Sequence, residues 1–121
     1  MNKIKIGERW IGDGEPCFII GEVGINHNGS LEIAKKLIDV ACEAEADAVK
    51  FQKRDLKHVY QERLLSNPNL AEQAFQYLIP LLQEFELSKE DYHKIVEYCQ
   101  EKGILFLCSP WDLESVDFLE S

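Results

Sequence analysis

Three short apolar runs, residues 18–23, 46–51 and 104–108, are separated by segments whose apolar residues recur every three to four positions. The runs are apolar at successive rather than alternate positions, as strands buried on both faces require. Strands of that kind interleaved with amphipathic helices predict a parallel sheet with right-handed crossovers. The first crossover is compact: Ser30 is placed to cap a helix, and Leu31, Ala34, Leu37, Ile38 and Ala41 share one face. That helix fades by Glu45, giving strand, helix and strand as one βαβ unit.

The remaining segments follow from local signals. Residues 3–6 alternate polar and apolar and meet Gly7 and Gly12-Asp13-Gly14, which predicts a short β-hairpin ahead of the first buried strand. Residues 53–69 read as polar and irregular. Residues 70–85 read as helical, with Pro80 marking a kink or break. Ser88, followed by Glu90 and Asp91, starts another helix with an apolar stripe of Tyr92, Ile95, Val96 and Cys99, and Lys102-Gly103 ends it. Pro110 and Asp112 fall in a loop, and residues 114–121 begin a further helix. The order fits either an open doubly wound sheet or a barrel. A complete eightfold barrel takes about 250 residues, so the 121 residues are expected to form the N-terminal part of one domain, truncated inside its last helix.

Composition narrows the function classes. The net charge of −9 opposes a nucleic-acid or anionic-membrane surface. No run approaches the roughly 20 apolar residues of a membrane span. Cys17, Cys42, Cys99 and Cys108 stand singly in apolar runs with no CxxC spacing. They read as small buried hydrophobes in a reducing, cytoplasmic setting.

In parallel α/β architectures ligands bind at the carboxyl ends of the strands. Three segments fall there: residues 22–29, 50–54 and 109–112. Glu22 ends an apolar strand, where a carboxylate is costly unless paired or used. It reads as an acid/base group, as a contact to a metal-bound water or sugar hydroxyl, or as half of an ion pair with Lys50. Lys50 reads as a cation for phosphate or carboxylate, as a Schiff-base nucleophile, or as the other half of that pair. Gln52, two residues on, shares the strand face of Lys50. Asn26 and His27 are equally readable as ligand contacts or as turn residues, whereas Asn28-Gly29 is an ordinary turn pair. Lys53 and Arg54 read as a solvated run that adds positive potential near the mouth. Ser109 supplies a hydroxyl after the third strand, for an anionic oxygen or for the turn at Pro110.

Taken in order, residues 18–29 (Phe-Ile-Ile-Gly-Glu-Val-Gly-Ile-Asn-His-Asn-Gly), residues 46–52 (Ala-Asp-Ala-Val-Lys-Phe-Gln), residues 87–91 and Ser109-Pro110-Trp111-Asp112 resemble the N-terminal signature of the sialic acid synthase family. That family includes N-acetylneuraminate, legionaminic and pseudaminic acid synthases. The resemblance implies the N-terminal portion of a (β/α)8 TIM barrel, preceded by the hairpin. It implies condensation of phosphoenolpyruvate with an N-acylmannosamine-type sugar, with phosphate released, using Mn2+ or Mg2+. Glu22 and Lys50 then match catalytic positions, and Lys50, Gln52 and Ser109 match substrate contacts. Asn26 and His27 remain binding candidates. The metal ligands are expected beyond these residues, so His27, His58 and His93 are not substitutes for them, and a homodimer is expected of the full-length protein. The residues alone also admit a Schiff-base aldolase barrel using Lys50, or a non-catalytic half-barrel binding module. Two departures stand out: Glu45 occupies a position usually held by Gly, and Trp111 one usually held by Phe.

Overall fold

The computed structural model describes residues 2–121. A β-hairpin, β1 (Ile4–Ile6) and β2 (Arg9–Ile11), precedes a three-stranded parallel sheet of β3 (Ile20–Gly24), β4 (Ala48–Lys53) and β5 (Leu105–Pro110), in that order. Helix α1 (Leu31–Glu43) connects β3 to β4. Between β4 and β5 lie α2 (Leu56–Val59), α3 (Glu62–Ser66), a 3-10 turn (Pro68–Leu70), α4 (Gln73–Phe85) and α5 (Lys89–Lys102). Helix α6 (Leu113–Glu120) follows β5.

The core lies between one face of the sheet and helices α1 and α5. Val23, Val49 and Phe51 from the strands meet Ala34 and Ile38 of α1 and Tyr92, Ile95 and Cys99 of α5, all of them buried. Side chains alternate along a strand, so Lys50 and Gln52 turn to the other face, away from both helices. Sequential parallel strands with their crossover helices against one face are the arrangement of a β/α barrel, in which the helices form the outer ring.

Several expectations are corrected by position. Ile19 and Ile20 are expected to be buried, yet they are 51% and 39% exposed: Ile19 precedes β3, and Ile20 shares with Glu22 the sheet face that the helices leave uncovered. Cys17, just before it, is also exposed. The stretch after β4, expected to be irregular, forms α2, α3 and the 3-10 turn. Helix α4 continues through Pro80 to Phe85, so the proline does not break it, although it has no N–H to donate to the carbonyl of Gln76. Strand β5 extends through Ser109 to Pro110, so Ser109 lies within the strand rather than after it. Pro110 is tolerated because β5 is the other edge, where no ladder donor is needed on its outer side.

The unusual residue at position 45 has a clear geometry. The Glu45 N–H donates to the Cys42 carbonyl and the Ala46 N–H to the Ala41 carbonyl, both at 3.0 Å, which is a Schellman close to α1. Glu45 sits at the left-handed position of that motif with φ 57°. An L-residue pays about 1–2 kcal/mol for this conformation, and Gly recovers most of it while losing about 0.5–1 kcal/mol to unfolded-state entropy. Glu45→Gly should therefore stabilise the protein by roughly 0.5–1 kcal/mol, read as a higher urea midpoint at unchanged slope. An unchanged or lower midpoint would contradict the strain argument.

Candidate active site

The site is built where β4 meets its two neighbours. Parallel pairing sets Glu22 opposite Lys50 and Lys50 opposite Leu107, and then Gln52 opposite Ser109. The register slips between Glu22 and Gly24, so that Gly24 pairs with Phe51. This irregularity carries the chain out of the sheet and into the 24–29 loop, a common use of a bulge beside a site. The Glu22 carboxylate meets the Lys50 ammonium at 2.5 Å, with both side chains partly open to solvent. The pairing foreseen as one alternative therefore forms, and it occupies the same open face as Gln52 and Ser109.

The 24–29 loop is held by its own backbone. Asn26 turns its amide nitrogen to the Val23 carbonyl at 2.9 Å, and successive turns run from Asn26, Asn28 and Ser30 back to Val23, Ile25 and His27. Asn28 and Gly29 both have positive φ, 52° and 74°. A Cβ on Gly29 would stand 2.7 Å from the Glu84 carbonyl oxygen, so α4 packs directly on this glycine. His27 is 1% exposed and stacks on Phe51. Its Nδ1 accepts the Gly29 N–H at 3.0 Å, which leaves Nε2 buried and without a hydrogen-bond partner among the described residues. His27 is thus oriented toward the interior of the loop.

The end of β4 differs most from expectation. The sequence places Lys53 in a solvated run, but it is 7% exposed. It alternates with Val49 and Phe51 toward the helix side, and its ammonium donates to the Arg54 carbonyl at 3.0 Å and lies 3.8 Å from Glu86. Burial outweighs that cation and holds the Glu86 carboxyl above its ordinary range. Arg54 also is not a free surface charge: it donates to Gln52 Oε1 at 2.7 Å and lies over the Trp111 ring. Tyr92 donates its hydroxyl to the Gln52 carbonyl at 2.6 Å, pinning the strand end from α5; burial pushes this phenol above its usual value. Asp112 accepts from the Asp55 N–H at 2.7 Å while capping α6 through the Ser115 N–H and hydroxyl. Burial works to raise the Asp112 carboxyl, but those hydrogen bonds outweigh it and hold the group low. Sequence spacing could mark Asp112 as a helix cap; it carries no signal for contacts reaching across to residues 52–55.

The open face, strand-end polar residues and parallel topology now stand beside known proteins. Residues 37–121 match the model of the NeuB family. The chain belongs to the NeuB family. Human N-acetylneuraminate-9-phosphate synthase is 37% identical over 112 residues, covering 92% of this chain and 31% of that protein. The N,N'-diacetyllegionaminic acid synthase of Legionella pneumophila is 40% identical over 114 residues, 91% of this chain and 32% of that protein. The solved N-acetylneuraminic acid (sialic acid) synthetase of Leptospira borgpetersenii serovar Hardjo-bovis, in complex with citrate, superposes with a TM-score of 0.78 at 32% identity, over 98% of this chain and 38% of that one. The chain spans about a third of the length of the curated relatives it matches. The fold is accordingly the N-terminal portion of a NeuB-type β/α barrel.

Burial lowers the pKa of the His27 imidazole from its ordinary 6.5. The unfolded chain therefore takes up a proton at this residue before the folded chain does, so His27 favours folding fully above pH 6.5 and loses that contribution as pH falls through 6.5 toward the folded value. Wild-type stability should drop over this window, and His27→Gln should flatten the drop. An identical pH slope in both proteins would show that His27 is not the group responsible.

Proposed function

We propose that the full-length protein condenses phosphoenolpyruvate with an N-acyl amino sugar of the N-acetylmannosamine type, giving a nonulosonic (sialic-type) acid and inorganic phosphate. The observation that carries this reading is the row of Glu22, Lys50, Gln52 and Ser109 on one open sheet face, at the carboxyl ends of three strands. The related sialic-type acid synthases support it.

In this reading Lys50 binds the carboxylate or phosphate of phosphoenolpyruvate, exchanging its Glu22 partner for a substrate anion. Glu22, released at the face where the aldehyde would lie, is then free to accept or return a proton. Gln52 and Ser109 supply neutral hydrogen bonds beside them. The C3 carbon of phosphoenolpyruvate forms a bond to the sugar aldehyde carbon, whose oxygen takes a proton and becomes a hydroxyl. Water adds at C2, the C2–O bond to phosphate breaks, and a keto acid remains. An amine held in an ion pair is a cation rather than a nucleophile, so the Glu22–Lys50 contact favours this route over an imine at Lys50.

Among the described residues no group of three or more His, Cys, Asp or Glu is placed to hold a metal ion. The expected Mn2+ or Mg2+ stays part of the proposal, with its ligands beyond these residues. No helix among the described residues is long and apolar enough to cross a membrane. Four free thiols accord with the cytoplasmic setting that belongs to this reading, and a homodimer belongs to it too.

The full-length protein with phosphoenolpyruvate, Mn2+ and N-acetylmannosamine or related sugars should release phosphate; no release with any of these sugars would overturn the reading. Lys50→Ala should weaken phosphoenolpyruvate binding at least about tenfold in a calorimetric titration, the loss of one charge-assisted contact. Undiminished affinity would remove Lys50 from the site.

A further inference from the structure

We propose that Arg54, carried on the ring of Trp111, is a positioning residue that fixes the orientation of the Gln52 side-chain amide, so that Gln52 turns its Nε2 N–H groups, rather than its oxygen, to a ligand. This rests on the reading of Gln52 as a substrate contact and adds the device that sets what it can recognise. Arg54 and Trp111 lie outside the set of residues assigned to the chemistry above.

The orientation follows from chemistry as well as from distance. A guanidinium has five N–H donors and no acceptor. The Gln52 amide atom 2.7 Å from Arg54 Nη2 must therefore be the oxygen. An amide without such a neighbour can flip and expose either end. With Oε1 committed, Nε2 faces the opposite way. That direction is the space beside Gly24, where a Cβ would stand 3.5 Å from Gln52 Nε2 and 3.9 Å from Asn26 Nδ2. The Asn26 amide nitrogen is already turned to the Val23 carbonyl at 2.9 Å. Of the two amides beside Gly24, that of Gln52 is the one whose orientation the Arg54 contact sets.

Arg54 can act this way because it is itself held. Its guanidinium carbon lies 4.3 Å from the centroid of the Trp111 ring, a cation–π stack for which Trp is the best platform. Trp111 is in register with β4, since its N–H donates to the Lys53 carbonyl at 3.0 Å. The Arg54 carbonyl accepts from the buried Lys53 ammonium at 3.0 Å. Ring, main chain and amide thus hold one arginine across the ends of β4 and β5. The ligand group that meets Gln52 must then be an acceptor, such as a hydroxyl, carbonyl or carboxylate oxygen; a protonated amine at that point would face N–H groups and be rejected.

A double-mutant cycle in the full-length protein tests this, with the sugar KM measured at saturating phosphoenolpyruvate. Gln52→Ala and Arg54→Ala should each raise the sugar KM about tenfold with kcat little changed, and the double variant should be no worse than either. Arg54→Lys, which keeps a charged donor, should recover part of the loss, and Trp111→Phe should show a smaller rise. Additive effects, or a normal KM in Arg54→Ala beside a raised one in Gln52→Ala, would overturn the proposal. The crystal structure of Arg54→Ala gives a readout free of turnover: the Gln52 side chain should leave its place, and an unmoved amide would overturn the positioning role whatever the kinetics. If Arg54→Ala does not fold, Trp111→Phe carries the same two measurements. Should Gln52→Ala leave the sugar KM unchanged, the substrate role of Gln52 falls, while a displaced amide in Arg54→Ala would still uphold the orientation by Arg54.

Discussion

Strand β4 is hydrogen-bonded on both sides, and its successive side chains point in opposite directions. Val49 and Phe51 enter the helix-covered core and are fully buried, while Lys50 and Gln52 emerge on the far face. This alternation couples stability to chemistry through neighbouring residues. A one-residue slip in register would turn Lys50 into the apolar layer and Phe51 toward solvent. Burial of Phe51 against His27 and Phe106 opposes such a slip, and in doing so keeps Lys50 opposite Glu22.

Around that strand the polar groups divide into those that hold the site and those that face it. His27, Lys53, Tyr92 and Asp112 are engaged with the backbone of the loops and strand ends. Each satisfies a group that would be expensive to bury unpaired. Their contacts give the strand ends a rigid frame, on which Glu22, Lys50 and Ser109 stand with fewer constraints. Rigid support behind a more open polar face is what a binding site needs for preorganisation. Helix α4 adds to the frame by packing its backbone onto Gly29, so the loop bearing Asn26 and His27 is backed by an element more than 40 residues away in sequence.

Glu45 and Trp111 show how a departure from a familiar pattern acquires meaning from geometry. Glu45 stands in a left-handed turn that suits Gly, so the departure is a local strain beside the start of β4. Trp111 is not only a larger packing group, since its exposed ring carries Arg54. The first is a backbone effect visible in one dihedral angle. The second exists only because β5 and β4 end side by side.

Much was legible from the sequence because it depends on neighbours along the chain. Apolar runs and 3.6-residue periodicity identify β3, α1, β4, α5 and β5; Ser30 and Ser88 cap helices as their positions imply, Ser88 within a full capping box. Strand periodicity alone puts Lys50 and Gln52 on one face. The short helices after β4, the exposure of Ile19 and Ile20, and the burial of Lys53 were not legible, since each depends on which surface another element covers. Resemblance along the chain carried the family, but local sequence could not say that Arg54 orients Gln52. Periodicity and caps are properties of consecutive residues, and the sequence alone determined them. The pairing of Glu22 with Lys50, the Arg54–Trp111 stack and the stacking of His27 on Phe51 join residues from different strands and loops, and only the tertiary structure, by setting strand register and packing, decided them.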